Sequence, residues 1–276
     1  MSDAPQRVYT GSAASRALSH AVQDVAAGVA AVHVWGLLGW HDIRRRYRRS
    51  VLGPFWLTIS TAVMVTAMGF LYSKILNQDL SSYLPFLAIG LVVWQMLAAM
   101  INDSCDVFGL AEHMIKQIRL PLTTHVCRIL WRNVIIFAHN AVIIVGVALF
   151  YSKLSIIGML MALVGFACVI LNCLWASLVL GVLCARFRDI PPTMANFVQV
   201  AFFLTPILWH PELLGQRIAL AYGNPFYHLI EAIRGPIMGT DTYINSLAVV
   251  FLMLLVGFPL TLLFFSRYRA RVPYWL

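Results

Sequence analysis

Long apolar runs separated by short polar gaps dominate the chain. A hydrocarbon core of about 30 Å is crossed by roughly 20 helical residues rising about 1.5 Å each. Runs of that order lie at residues 57–76, 84–101, 134–151, 156–185, 190–209 and 244–266. They predict an all-α polytopic membrane protein with six transmembrane helices. The fourth run is long enough to divide into two, which would give seven crossings and part the chain's ends.

The polar gaps carry pattern of their own. In WGLLGWHDIRRRYRRSVLGPFW, Leu37, Trp40, Ile43, Tyr47 and Val51 share one arc at 100° per residue. His41, Asp42, Arg45, Arg46, Arg48 and Arg49 fall mostly opposite, which predicts an amphipathic interfacial helix before the first span. Gly53 and Pro54 then turn the chain into the membrane. The helix serves either as an anchor on anionic headgroups or as a docking surface. Between spans two and three, GLAEHMIKQIRLP reads as a short helix stopped by Pro121. Met114, Ile115 and Ile118 give it an apolar side, and Glu112, Lys116 and Arg119 a charged one. It suits docking on another protein or guarding an entrance. The turn ARFRDIPPT starts the fifth span at its prolines, and is either a connector or a transmitter of force. Beyond a kink at Thr205 and Pro206, residues 212–222 and 226–235 are too short to cross, predicting a re-entrant or surface helix pair.

Composition agrees: 61% of residues are hydrophobic and 11% charged, with mean hydropathy +0.80, against about 25% charged residues in soluble domains. Residues 1–31 form a polar extension with no basic stretch leading into an apolar core, so no secretory signal is expected there. Residues 32–276 read as one membrane domain. The formal charge of +9 sorts by side of the membrane. With six spans, Arg7, Arg16, Arg44, Arg45, Arg46, Arg48, Arg49, Lys116, Arg119, Arg128, Arg132, Arg186, Arg188, Arg267, Arg269 and Arg271 collect on the side of both termini. Only Lys74, Lys153, Arg217 and Arg234 lie opposite. The positive-inside bias therefore keeps the fourth run whole and places both ends in the cytoplasm. Charge placed this way points to membrane lipids rather than nucleic acid.

The spans hold little that titrates. His139 beside Asn140 is the exception, read as an interhelical hydrogen bond or a transport group. The dearth of ionisable groups argues against an ion-coupled carrier. Five cysteines show no C-x-x-C spacing and are expected as buried thiols. The three lysines precede Ile, Gln and Leu, so the chain has no P-loop of its own. H-E-x-x-H and G-x-S-x-G are also missing. Asp103 and Asp106, one turn apart, are sparse for the metal site of a lipid-phosphate transferase. Among the many aromatics, Trp56, Trp209, Tyr268 and Trp275 read as interfacial belt residues. Tyr72, Trp94, Phe202 and Phe203 are candidates to line a sugar path.

Taken in order, DIRRRYRRSVLGPFW, the helix ending in IRLP, ARFRDI, TPILW and NPFYHLIEAIRG resemble the ABC-2 type permeases of polysaccharide exporters. The similarity runs from about Trp35 to Arg271. It is nearest the O-antigen branch, with capsule and teichoic acid exporters as relatives. The resemblance implies a homodimer joined to two ATP-binding subunits that bind ATP and magnesium, moving a lipid-diphosphate-linked polysaccharide out across a bacterial inner membrane. It maps ATPase coupling onto Asp42, Arg44, Arg45, Arg46, Arg48 and Arg49, and onto Arg186, Arg188 and Asp189. Glu112, His113, Lys116 and Arg119 would guard the cytosolic entrance. Asn224, Pro225, Phe226, Tyr227, Glu231 and Arg234 would form the outer gate. Catalytic and metal sites are not implied. Rival readings are a drug or lipid permease of the same superfamily and a membrane enzyme using Asp103, Asp106 and Glu112.

Overall fold

The computed structural model describes residues 9–48, 53, 55–151 and 155–276, with side chains from residue 15 onward. Arg7, Arg49, Val51, Pro54 and Lys153, named above, lie outside the described residues. The described residues are almost wholly helical, with no strand among them. In chain order the helices are α1 (Tyr9–Ala30), α2 (Val32–Tyr47), α3 (Phe55–Ile75), α4 (Leu80–Cys105), α5 (Glu112–Gln117) and α6 (Leu122–Phe150). They continue with α7 (Ile156–Arg186), α8 (Ile190–Leu204), α9 (Ala219–Tyr222), α10 (Pro225–Met238), α11 (Thr242–Tyr268) and α12 (Val272–Trp275).

Five of these, α3, α4, α6, α7 and α11, are long and apolar enough to cross a bilayer. The fourth predicted run is one unbroken helix of 31 residues, α7. The fifth predicted span is shorter than its apolar run. Helix α8 has 15 residues, about 22 Å at 1.5 Å per residue, and stops at Leu204. Thr205 precedes Pro206 and is driven to extended backbone (φ −90°, ψ 137°). Residues 205–208 are nevertheless buried. Their freed carbonyls are satisfied inside the protein: Tyr83 Oη donates to Leu208 O at 2.6 Å and Arg234 Nη1 to Pro206 O at 3.0 Å. Apolarity there records burial in protein rather than exposure to lipid, as non-helical backbone at membrane depth requires.

Helix α4 is the central element, packed on α3, α6, α7, α8 and α10 and buried continuously from Pro85 to Trp94. The outer helix pair divides by burial. Residues 211–222 form a 3-10 segment and short α9 with Leu213 and Leu220 exposed, whereas α10 is buried from Tyr227 to Pro236 between α4, α7 and α11. Close approach to α7 needs small residues: a Cβ on Gly165 would overlap the Ala232 carbonyl oxygen. At the other end, α1 packs on α6 and α11, and α2 on α6, the two meeting at a 62° bend.

Candidate functional site at the basic end

The starts of α3, α6 and α8 and the ends of α4, α7 and α11 meet at one end of the bundle, together with α1, α2, α5 and α12. Most of the cations named above stand here. Helix α2 is seated on α6 by three contacts. Asp42 accepts two hydrogen bonds from Arg128, from Nε at 2.7 Å and Nη2 at 2.6 Å. Trp35 meets Trp131 edge to face at 5.8 Å. A Cβ on Gly39 would press on the Arg128 carbonyl. These contacts rotate α2 from the predicted arc. Ile43 and Gly39 are buried, whereas Leu37 and Trp40 are 58% and 49% exposed. Asp42, assigned to the outward polar face, turns inward instead. Arg44, Arg45, Arg46 and Arg48 remain exposed.

One turn deeper, Arg132 Nη2 pairs with Asp103 Oδ2 at 2.6 Å, and Asn133 Nδ2 donates to the same oxygen at 2.7 Å. This ties α6 to α4 and occupies Asp103. Among the described residues no group of three or more His, Cys, Asp or Glu stands close enough to hold a metal ion. Above the pair lies a cavity of about 410 Å³ between α3, α4 and α6. Its wall carries two interhelical bonds, Thr61 Oγ1 to Gln95 Oε1 at 3.1 Å and Thr58 Oγ1 to Asn140 Oδ1 at 3.2 Å. Asn140 therefore bonds across helices, while His139 Nδ1 stays with Ile135 O of its own helix at 2.8 Å.

Helix α5 ends at Gln117, short of the predicted stop at Pro121, where Ile118 turns to extended backbone (φ −126°, ψ 130°). Glu112, His113 and Lys116 sit on the helix, and Arg119 lies in the extended link. Lys116 pairs with Glu112 at 2.6 Å and holds its carboxyl below the usual carboxylate range. The Arg186–Asp189 turn is exposed, with the Arg186 guanidinium 5.0 Å from the Trp275 ring of the C-terminal helix.

Sequence reasoning missed Asp24. Its buried carboxylate accepts from Leu122 N at 3.2 Å, Thr123 N at 3.1 Å, Thr123 Oγ1 at 2.9 Å and Arg269 Nε at 2.7 Å. Pro121, the residue before α6, offers no side-chain cap. Asp24 supplies one from another helix, satisfying orphan amides and the positive end of the α6 dipole.

At the opposite end, Asn224 Oδ1 caps α10 by accepting from Phe226 N at 2.9 Å, and Pro225 occupies the first turn. Glu231 and Arg234 pair at 2.8 Å, and the Arg234 side chain is 1% exposed. Arg234 lies 3.8 Å from the centroid of Phe86, which stacks on His210, while Thr240 and Thr242 donate to Glu231 Oε1 at 3.2 and 2.9 Å. Tyr227 is buried against Tyr222. Of the candidate aromatics, Trp94 meets Phe202 at 5.9 Å and Phe226 at 5.5 Å, and also borders the cavity between α3, α4 and α6. Phe203 is 63% exposed and Tyr72 packs on the core apart from that cluster.

Three relatives share this chain's sequence over most of their length. An O-antigen export system permease protein RfbA from Klebsiella pneumoniae is 23% identical over 73% of this chain and 79% of its own. A second protein of that name from Klebsiella pneumoniae is 21% identical over 80% of this chain and 85% of its own. One from Myxococcus xanthus is 18% identical over 61% and 65%. The family model described as ABC-2 type transporter matches residues 33–238, from the start of α2 to the end of α10, and so takes in the seated α2, the ion-paired α4–α6 contact and the buried α10. The chain belongs to the ABC-2 type transporter family, as a membrane subunit of a transporter rather than an enzyme.

Proposed function

We propose that this chain is the permease subunit of an ATP-driven exporter of lipid-linked polysaccharide, with O-antigen as the substrate class. The observation that carries the substrate is the name common to the three relatives, each an O-antigen export permease. Geometry supports the driving scheme. The chain lacks a P-loop lysine, while exposed Arg44, Arg45, Arg46 and Arg48 and the 186–189 turn crowd one end. That end is the docking face for a separate ATP-binding subunit that holds ATP and magnesium. It faces the cytoplasm of a bacterial inner membrane, with both termini, in accord with the positive-inside bias.

Two copies of the chain assemble with two ATP-binding subunits. The cavities within one chain, of about 280 to 500 Å³, are too narrow for a hydrated glycan, so the wide path lies between copies. Asp42 and the arginines of α2, with Arg186, Arg188 and Asp189, couple to the motor. Glu112, His113, Lys116 and Arg119 border the entrance, and α10 with its Glu231–Arg234 pair braces the outer gate. Deleting the gene should strip the surface glycan and leave lipid-linked glycan inside the cell. A full surface coat with altered drug sensitivity would instead favour the drug or lipid permease.

A further inference from the structure

Between α2, residues 107–111 and the first turns of α6 lies a second cavity, of about 320 Å³. Four arginines line it, Arg45, Arg46, Arg128 and Arg132. The carboxylate on its wall, Asp42, is engaged by Arg128. Arg132 is neutralised from outside by Asp103, yet its Nε is buried without a hydrogen-bond partner. Arg45 and Arg46 form no ion pair with any described residue. His125 also lines the cavity, is 1% exposed, and has no partner on either ring nitrogen. An imidazole buried in that way loses its water bonds without replacement, a cost that native interiors seldom leave uncompensated. The arginines lining the cavity outnumber its one carboxylate, and Arg45 and Arg46 are left without an ion-pair partner among the described residues, so the lining suits an anion with several acceptor oxygens.

We infer that this cavity is a binding site for a phosphoryl group. Guanidinium forks suit phosphate oxygens, and Arg45 and Arg46, exposed and without an ion-pair partner among the described residues, are placed to offer theirs. Its volume falls at the low end of small-molecule sites, about 300–1,000 Å³, enough for a phosphate-bearing headgroup. The α6 amides are already capped by Asp24, so side chains alone make the site. Leu37 and Trp40 give α2 exposed apolar side chains of the kind that suit a lipid surface, so a lipid headgroup and a soluble phosphate are both candidates. The inference concerns the cavity alone and stands whether or not the exported substrate is a glycan.

The test uses the full chain purified in neutral detergent, titrated with dihexanoyl phosphatidate and, separately, with inorganic diphosphate, by calorimetry. Saturable binding of phosphatidate that diphosphate displaces assigns the site to lipid headgroups. Binding of diphosphate alone assigns it to soluble phosphates. Either affinity should fall about tenfold or more in Arg45→Ala/Arg46→Ala, whose side chains are exposed and form no ion pair with a described residue. Arg217→Ala/Arg267→Ala removes equal charge elsewhere and should leave affinity unchanged. The inference is overturned if neither probe binds, or if the remote pair weakens binding as much as the α2 pair.

Discussion

Arg234 shows how costly a single buried charge is, and how this chain offsets it. The guanidinium has a carboxylate at 2.8 Å, a backbone carbonyl at 3.0 Å and an aromatic face at 3.8 Å, so each side of the planar group is engaged. Lysine keeps the charge but cannot span those three partners. Arg234→Lys should therefore destabilise the purified protein, and Arg234→Met, which leaves Glu231 buried and unpaired, should cost about 3–5 kcal/mol. Thermal melting in detergent reads both. A neutral result would mean that α10 is not anchored by this pair. His210 beside it carries a pH signature. Burial, with Arg234 adding to it, outweighs the pull of Glu212 and Glu231, so the imidazole titrates below its ordinary range. The unfolded chain then binds the extra proton first. The stability is complete above the ordinary value of about 6.5 and is lost as pH falls toward the depressed folded value. The melting temperature should drop on acidification, and His210→Phe, which preserves the stack on Phe86, should flatten that arm. An identical acid arm in the variant would place its origin elsewhere.

At the scale of elements, the chain's legibility follows the range of the interaction. Spans α3, α4, α6, α7 and α11 can be read because apolar length is local to each helix. The end of α8 is half legible: Thr205–Pro206 marks the stop, but the apolar residues beyond it look the same whether lipid or protein covers them. The face of α2 cannot be read by periodicity, because Asp42 and Gly39 set its rotation through α6. Asp24 gives no local signal at all, since its partners stand 98 and 245 positions away. Helix α1 thus becomes part of the basic end, clamping the start of α6 to the end of α11. Asp24→Ala should remove a helix cap, about 0.5–2 kcal/mol, and free Arg269. Amide exchange should then rise first in α1 and in the opening turn of α6. Unaltered protection there would show that α1 holds its seat without the carboxylate.

For the molecule as a whole, rigidity and exposure are divided between the two ends. The opposite end is bound by a fully partnered buried ion pair, whereas the basic end sets paired arginines inside and free ones outside. Such a division suits a subunit that receives force at one end and holds a braced gate at the other. Its most direct test is reconstitution with the ATP-binding subunit in vesicles, followed by delivery of a lipid-linked glycan to the face bearing α2. ATP should move the glycan to the opposite face, where an added glycosidase can reach it. Arg44→Ala/Arg48→Ala, which spares the arginines lining the cavity, should cut ATP-driven transfer at least about tenfold if the α2 face couples the motor. Robust ATP hydrolysis by the intact complex with no glycan transferred would contradict the account.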